Sequence, residues 1–496
     1  MVVDSEAAYP RDEKTTSNSF GREATQPLAP TKSRSSYKGG PHTLDNKPDD
    51  VDAAIWMEEV SVVGVQERKL SWYQAAALLL TEYVVLAILA FPYSYQVLGY
   101  AGATLSILFV GLSTYYTSYI LWKFCMRHPQ IRDIADAAEV LTVLRNSFVP
   151  FTLELIWMSV ITWFIMGLHV VAGATAIQTI RGGTESTLVW AIAIAVIMWF
   201  FSNLRSFSQM STVGLLASST MFIATLLVII GHGVQGLPNG YKPNVPITHS
   251  VWAPEGTTFV QGVNALLNVV YTFIGHALIP SFVGDMEQPR DFPKALAVSM
   301  AAEFILFTLT GAIVYHYTGT EYATAPAYGS LRVRFGKVAA GFVLPTIIIV
   351  GILYSLVTSR AIFFQIFREG SPHRTGHTVK GWSVWLAIVF GGWVISFIIG
   401  EAIPFFSDML SLISSLFDSW FGYIMWACAW WQMSHGQRGG IRGISETILN
   451  ALILITGFFF FGAGTYASVQ SIIDSYAAGA VKTPFTRANT GFVLEH

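Results

Sequence analysis

The stretch TEYVVLAILAFPYSYQ, residues 81–96, combines features that rarely share one apolar segment. It is hydrophobic enough to lie within a bilayer, yet it contains a carboxylate, Glu82, and a proline, Pro92. Proline removes a backbone donor and interrupts the helix that contains it, and an ionisable side chain inside a membrane is costly and usually functional. The stretch therefore predicts a membrane helix that is broken where a function requires free helix ends.

The composition of the chain points to a membrane protein. Of its 496 residues, 53% are hydrophobic and only 12% are charged, and the mean hydropathy is +0.50. A soluble globular protein is about 25% charged. No basic run indicates nucleic acid, and no motif of a metalloprotease, a hydrolase nucleophile or a phosphate-binding loop is present. We expect neither an enzyme, nor a cofactor, nor a metal site.

Apolar segments long enough to cross a bilayer number about eleven, since crossing takes roughly 20 residues. They are residues 73–97, 102–124, 150–178, 187–204, 211–232, 261–282, 294–317, 337–366, 382–399, 404–432 and 445–470. Residues 1–69 are rich in Ser, Thr, Pro, Asp and Lys, which predicts a disordered cytoplasmic tail. Residues 70–472 form the transmembrane domain, and residues 473–496 form a short extracytoplasmic tail.

Basic residues are unequally divided between the two sides of this layout, and the richer side is expected to be cytoplasmic. The richer side holds Lys123, Arg127, Arg132, Arg145, Arg205, Arg290, Lys294, Arg368, Arg374, Lys380, Arg438 and Arg442; the other holds Arg181, Lys242, Arg332, Arg334 and Lys337. With an odd number of spans, this predicts a cytoplasmic N-terminus and an extracytoplasmic C-terminus.

The proline of the first span has a counterpart in the sixth. AILAFP (87–92) and GHALIP (275–280) each place a proline inside a span, five spans apart. Paired interruptions in corresponding helices of two inverted halves indicate the midplane site of a secondary transporter. The alternative is that both are ordinary proline kinks, which membrane helices tolerate.

Several stretches resemble the amino acid/auxin permease family. FPYSYQVLGYAG (91–102) resembles its helix 1 signature, and YTFIGHALIPSFVGDMEQPRDFPKAL (271–296) resembles its helix 6 and the following loop. IRDIADAA (131–138) is similar to its first cytoplasmic loop, and IPFFSDMLSLISSLFDSWFGY (403–423) to its helix 10. The likeness is closest to fungal neutral amino acid permeases.

This resemblance implies an all-α membrane protein with about eleven helices. Ten would form the five-plus-five inverted repeat of the bacterial leucine transporter, and one would be an extra C-terminal helix. It implies proton-coupled symport of neutral amino acids, aromatic and aliphatic, by alternating access in the lipid bilayer of the plasma membrane. An amino acid sensor with the same fold, and a vacuolar exporter, are the alternatives.

Substrate binding is expected at the two breaks, because a zwitterion needs free amides and free carbonyls together. In the first span we expect the break near Ile88–Phe91. The carbonyls of the sixth span near Thr272–Gly275 would receive the ammonium group, and Trp163 would line the side-chain pocket. The expected substrate-binding residues are Ala87, Ile88, Leu89, Ala90, Phe91, Thr272, Phe273, Gly275, His276 and Trp163.

Coupling and gating are expected to involve Glu82, His276 and the sequence Thr358-Ser359-Arg360. In sodium-coupled relatives of this fold, a hydroxyl pair in helix 8 binds sodium, and Thr358–Ser359 resembles that pair. If the Arg360 guanidinium turned into the site, it would stand in place of the cation. The proton would then travel on Glu82 or His276. The alternatives are a structural hydrogen bond for Glu82, a core position for His276, and Arg360 extending to the headgroups. Weaker candidates are Glu154, His169, Glu303, Asp408 and Asp418.

Overall fold

The computed structural model describes residues 70–131, 133–141, 152–182, 186–203, 210–367, 371–435 and 439–479, together with residues 485, 492 and 494. The expected N-terminal tail, residues 1–69, lies outside the described residues. The expected C-terminal tail begins at residue 473, inside the last described helix, which ends at Ala477.

The described part of the chain is helical, with a single isolated parallel β-bridge between Leu70 and Met286. Its first eight α-helices are α1 (Trp72–Tyr83), α2 (Phe91–Arg127), α3 (Ile134–Val140), α4 (Thr152–Arg181), α5 (Thr187–Phe201), α6 (Met210–Gln235), α7 (Phe259–Phe273) and α8 (Ile279–Asp285). The remaining eight are α9 (Phe292–Tyr322), α10 (Val333–Ile366), α11 (Pro372–Thr375), α12 (Val379–Ala402), α13 (Phe406–Ile413), α14 (Met425–Met433), α15 (Gly440–Phe459) and α16 (Thr465–Ala477).

Short 3₁₀ turns, which are tighter than an α-helix, and π-helical segments, which are wider, join several of these helices. The 3₁₀ turns are Leu86–Ala90, His276–Leu278, Pro289–Asp291 and Ala327–Ser330. The π-helical segments are Ser414–Ile424 and Phe460–Gly464. Two of the 3₁₀ turns, Leu86–Ala90 and His276–Leu278, directly precede α2 and α8 in the interrupted first and sixth spans.

Eight helical segments of the described chain are long and apolar enough to cross a membrane. They are Leu86–Arg127, Met158–Arg181, Val213–Gln235, Phe259–Asp285, Pro289–Tyr322, Val333–Ile366, Val379–Ala402 and Gly440–Ala477. A shorter apolar helix, Thr187–Phe201, falls on the fourth expected span. The multi-span character is thus confirmed, while the count of eleven spans stays a prediction.

The first and second spans meet at a sharp turn inside α2. Gly99 has φ 73° and ψ 175°, so residues before it and after it belong to different helical directions. A β-carbon at Gly99 would collide with the carbonyl group of Trp252, and Tyr100 N donates to Ser250 O at 3.0 Å. Glycine is required here because its backbone conformation and the close approach of this loop both exclude a side chain.

The packing of the helices places the two interrupted spans in the centre of the protein. The helix α10 packs along α4 and α6, while α9 packs along α1 and α2. Large apolar side chains such as Phe109, Leu112 and Phe200 are exposed on the outer helices, as expected of a surface that faces lipid. The turn Leu86–Ala90 is by contrast almost completely buried.

The start of the first span and the end of the sixth span are joined by backbone hydrogen bonds. Leu70 N donates to Asp285 O at 3.2 Å, and Glu287 N donates to Leu70 O at 2.9 Å. This bridge joins the start of α1 to the end of α8. The two interrupted spans are therefore connected outside the bilayer centre as well as within it.

Candidate functional site

The break in the first span lies earlier than the sequence predicted. The helix α1 ends at Tyr83, and Val84 (φ −83°, ψ 70°) and Val85 (φ −116°, ψ 174°) leave the helical conformation. Two adjacent β-branched residues favour an extended backbone. Pro92 lies in the first turn of α2, where its missing amide hydrogen is not needed. The expected break at Ile88–Phe91 is thus wrong by about four residues, because the proline starts the outer helix and does not occupy the gap.

The sixth span repeats this arrangement. The helix α7 ends at Phe273, Ile274 is extended with φ −98° and ψ 97°, and the next helical turn begins at His276. The helix α8 then starts at Ile279 with Pro280 in its first turn. Both spans therefore consist of a helix, a short extended gap, a 3₁₀ turn and a second helix that a proline initiates.

The two breaks create a site with both partial charges. The helices α1 and α7 each end at a break, so their last carbonyl groups lack partners within the helix and carry negative partial charge. The turns that start at Leu86 and His276 present free amides instead. Ammonium and carboxylate groups could both be bound in this region without a charged side chain for each.

A cavity of ≈ 120 Å³ lies between the two breaks. It is lined by parts of the first, third, sixth, eighth and tenth spans. The lining residues are Glu82, Val85, Leu86, Ala87, Met158, Ile161, Thr162, Ile165, Leu168, His169, Tyr271, Thr272, Ile274, Gly275, Ala277, Val350, Tyr354, Asp418 and Phe421.

The polar part of this cavity is acidic. Glu82 and Asp418 both line it, and Tyr271 and Tyr354 interact electrostatically with both carboxyl groups. His169 also lines the cavity, and its Nδ1 lies 2.7 Å from Ile165 O within the same helix. None of the described lining residues is a lysine or an arginine. The cavity therefore favours a cationic group over an anionic one.

Asp418 belongs to the π-helical segment Ser414–Ile424. π-Helical turns are rare and occur mostly at functional sites, because the extra residue re-aims side chains. Asp418 is 6% exposed, and its Oδ2 has no hydrogen-bond partner among the described residues. The wider turn thus directs a carboxyl group with unused hydrogen-bonding capacity at the cavity.

Four of the residues expected from the sequence line the cavity: Glu82, Ala87, Thr272 and Gly275. Ile88, Leu89 and Ala90 are buried in the turn and do not line it.

The three aromatic candidates also lie elsewhere. Phe91 and Phe273 both pack on Phe307, with ring centroids 4.9 Å and 5.0 Å away. Trp163 directs its Nε1 toward Gly392 of α12, and a β-carbon there would lie 3.3 Å from it. The three rings thus pack neighbouring helices against one another and do not line the cavity.

His276 also lies beside the cavity and not in it. Its Nε2 is 2.9 Å from Thr117 Oγ1 and 3.1 Å from Ser118 Oγ, and its ring stacks on Trp426 at 6.2 Å. The side chain therefore faces α2 and α14. The geometry gives His276 a positioning role, because it holds the start of the second half of the sixth span against the second span.

The eighth-span residues separate in the structure. Thr358 Oγ1 donates to Thr162 Oγ1 at 2.5 Å, so it touches the cavity wall through Thr162, while Ser359 is buried without lining the cavity. Arg360 is exposed, and its guanidinium lies 5.0 Å from the ring centroid of Phe364. The expectation that Arg360 replaces a cation in the site is wrong, because a rotation of 100° per residue puts it on the outer face of α10.

The weaker candidates have different surroundings. His169 and Asp418 line the cavity, whereas Asp408 accepts hydrogen bonds from Asn264 at 3.1 Å and Ser471 at 2.8 Å. Asp408 thereby ties the tenth span to α7 and α16. The side chain of Glu154 lies outside the described residues.

The sequence as a whole matches the family model described as "Transmembrane amino acid transporter protein" over residues 68–470. The chain belongs to this family. The transmembrane amino acid transporter family is the one indicated by the motifs of the first, sixth and tenth spans. Because its members transport and do not catalyse a reaction, the expectation that the protein is not an enzyme is confirmed.

Individual relatives support the family assignment. The "N amino acid transport system protein" of Neurospora crassa is 30% identical over 429 residues, which cover 85% of this chain and 89% of that protein. A "Transmembrane transporter" of Gibberella moniliformis is 26% identical and covers 87% and 90%. The Arabidopsis thaliana "Amino acid transporter AVT1H" is 26% identical over 46% of this chain and 52% of its own length.

Solved structures show the fold of this family member. Mhp1, a nucleobase-cation-symport-1 family transporter, superposes in a closed conformation with a TM-score of 0.50 and 14% identity, covering 83% of this chain and 93% of Mhp1. Its inward-facing conformation also gives 0.50, at 12% identity, covering 86% of this chain and 94% of Mhp1. These likenesses confirm the fold of the bacterial leucine transporter that the family resemblance implied.

Proposed function

We propose that the protein is a proton-coupled symporter that carries neutral amino acids, aliphatic and aromatic, into the cell across the plasma membrane. The observation that carries the proposal is the cavity between the two breaks, where two helix ends and two carboxyl groups meet. Transport would proceed by alternating access around this site.

The backbone of an amino acid substrate has complementary groups on both sides of the cavity. Its ammonium group would bind the free carbonyls at the ends of α1 and α7, near Glu82 and Thr272. Its carboxylate would bind the free amides of the turn that begins at Leu86, because the start of a helical turn favours an anion. Backbone groups alone would thus recognise what all amino acids share.

The side chain of the substrate would lie against the apolar wall of the cavity. This wall is formed by Met158, Ile161, Ile165, Leu168, Val350 and Phe421. An anionic side chain would meet no basic residue there and would be repelled by Glu82 and Asp418. The wall therefore favours apolar side chains, and methionine adapts to irregular shapes because it is flexible.

Glu82 is the proposed proton carrier. Two carboxyl groups that line one small cavity repel each other when both are ionised, and a bound proton removes that repulsion. Glu82 is also in the last turn of α1, next to the gap, so its charge acts on the segment that must move.

The Neurospora crassa relative, whose name assigns it to amino acid transport, supports amino acids as the transported substrate.

A competition and mutation experiment tests this function. Leucine, methionine and phenylalanine should inhibit labelled uptake in cells, whereas aspartate and glutamate should not. Glu82→Gln should lower uptake about tenfold or more, raise the KM and flatten the pH profile, since it removes the titrating group from the cavity. Glu446→Gln is the control, because Glu446 does not line the cavity and forms a surface ion pair with Arg442 on α15.

Two results would contradict the proposal. Normal uptake and pH dependence in Glu82→Gln would remove Glu82 from coupling. Substrate binding without counterflow of labelled amino acid would make the protein a sensor.

A further inference from the structure

A second buried carboxyl group lies outside the cavity. Glu303, on α9, is 0% exposed, and neither of its oxygens has a hydrogen-bond partner among the described residues. It does not line the cavity between the breaks. An ionised carboxylate without donors is strongly disfavoured in an apolar interior, and an ionisable group within a membrane is usually functional. The neutral, protonated form suits the surroundings seen here.

Glu303 faces the break in the first span. One turn before it on α9, Ser299 Oγ donates to Ala76 O of α1 at 3.0 Å. One turn after it, Phe307 packs on Phe91 at the start of α2. Because residues three to four apart share one face of a helix, Glu303 lies between these two contacts and opposite the end of α1.

Tyr83 is the polar group that meets Glu303 there. It is the last residue of α1, is 2% exposed, and interacts electrostatically with Glu303 and with Glu82. Its hydroxyl lies beside the Gly275 backbone and forms no hydrogen bond of regular geometry with a described residue. A buried tyrosine hydroxyl and a buried carboxyl group without a hydrogen-bond partner among the described residues thus interact electrostatically at the boundary between α1 and α9.

The helices α1, α2 and α6 pack against α9. The helix α1 contributes Tyr83, which interacts electrostatically with Glu303 and also with the adjacent Glu82. From α2 and α6, no titratable residue of the described chain interacts electrostatically with Glu303. Among the described residues of these helices, Tyr83 of α1 is therefore the titratable group with an electrostatic link to Glu303.

We propose that Glu303 is a second proton-binding site of the transport cycle, separate from the substrate cavity, with the hydroxyl of Tyr83 as its partner. The protonated acid is neutral and tolerates close packing of α1 on α9. When the proton leaves to water, the carboxylate needs a donor, which favours a state in which α1 has shifted and Tyr83 or solvent can reach it. The proton would thus bias the position of α1 without touching the substrate.

This inference rests on the proposed proton coupling and deepens it, and the variant Glu303→Gln tests it. In proteoliposomes, the ratio of transported protons to substrate, measured from the reversal potential, should fall in Glu303→Gln by about one proton, while the KM changes less than about twofold. Glu82→Gln should raise the KM instead. Glu446→Gln again serves as the control and should keep both the ratio and the KM.

Two further measurements test the proposal if Glu303→Gln folds poorly. Tyr83→Phe should shift the midpoint of the pH profile and leave the ratio unchanged, since the acid remains. Infrared difference spectra of the purified protein during a pH titration should contain a protonated carboxylic acid band that is absent in Glu303→Gln and shifted in Tyr83→Phe.

The outcomes separate the two proposals. Two results with proton-driven uptake would overturn the role of Glu303 alone. One is an unchanged proton-to-substrate ratio and an unchanged carboxylic acid band in Glu303→Gln. The other is an unaltered pH profile and an unaltered carboxylic acid band in Tyr83→Phe. Uptake by the unmodified protein that ignores protons would overturn the proposed coupling, and the inference with it.

Discussion

The ring of Tyr83 lies directly on Gly275, so the breaks of the first and sixth spans are in contact. A β-carbon on Gly275 would lie 2.6 Å from Tyr83 Cζ and 2.7 Å from its hydroxyl oxygen. Distances this short are excluded by van der Waals repulsion. Residue 275 must therefore be glycine while Tyr83 keeps this position, and neither break can move without displacing the other.

Gly275→Ala tests this contact. We expect the added methyl group to push the breaks apart and to lower initial uptake about tenfold or more, since small displacements at a site have large effects on rate. The control is Gly284→Ala, because a β-carbon at Gly284 would meet nothing within 4 Å. Uptake is compared at equal amounts of protein in the membrane.

A compensating change sharpens that prediction. Tyr83→Leu removes the ring atoms that the new methyl group would meet, so the double variant Gly275→Ala/Tyr83→Leu should transport better than Gly275→Ala alone. Non-additivity of this kind identifies direct contact. Equal uptake in the single and double variants would show that the contact does not limit transport.

His276→Ala should lower uptake without altering its pH dependence. The substitution removes the ring that bonds Thr117 and Ser118; Thr117 Oγ1 still donates to Thr114 O, while the buried Ser118 hydroxyl loses its bond to the ring, at a cost of about 1–3 kcal/mol. His276→Gln can still bond these hydroxyls, so it should retain more activity than the alanine variant. A flattened pH profile in both variants would instead make His276 a proton carrier.

Arg360→Gln should keep the ion dependence of transport. Its guanidinium lies on Phe364 at the outer face of α10, and Arg374 approaches the same ring at 4.2 Å. The measurement compares uptake driven by a proton gradient, by a sodium gradient and by neither. If the variant acquired sodium dependence, the side chain would act in the site despite its exposed position.

We expect Phe492 and Leu494, two described residues near the end of the chain, to contribute to stability. Phe492 packs edge-on against Tyr328 at 5.9 Å, and Leu494 is 8% exposed. The double variant Phe492→Ala/Leu494→Ala should lower the melting temperature of the purified protein by roughly 2–5 °C. Phe485→Ala is the control, because Phe485 is 48% exposed. An unchanged melting temperature in the double variant would mean that these contacts do not contribute.

The two ends of the chain should lie on opposite sides of the membrane. Phe492 N donates to Thr179 Oγ1 at 3.4 Å, in the last turn of α4. The third span crosses in the same direction as the first, so its end lies on the face opposite Trp72. Epitope tags at both termini of sealed cells measure this. Antibody access to both tags without permeabilisation would contradict the assignment.

The helical segments and the two breaks could be predicted from the sequence because both depend on local features. Apolar length fixes a span, and a proline in its middle fixes an interruption. Pro92 and Pro280 each indicated the correct span. The exact gap was missed, since it depends on the valine pair Val84–Val85, which a proline-centred interpretation ignores.

The composition of the site was harder to predict, because it depends on which face of a helix turns inward. Glu82 was recognisable as a charge in an apolar stretch. Asp418 is likewise a charged residue in an apolar stretch and could have been ranked higher as a site residue. Its orientation, however, depends on a π-helical turn that no local sequence pattern revealed. Tyr271 and Tyr354 gave no signal, since aromatic residues are common throughout membrane spans. Arg360 was misassigned because adjacency in sequence does not mean a shared helix face.

We expect protons to drive amino acid accumulation through the cavity between the breaks. The most direct measurement uses purified protein in sodium-free proteoliposomes with an alkaline interior and labelled leucine outside. We predict accumulation above the external concentration that a protonophore abolishes and that Glu82→Gln lacks. Accumulation that requires sodium and persists with the protonophore present would contradict the account.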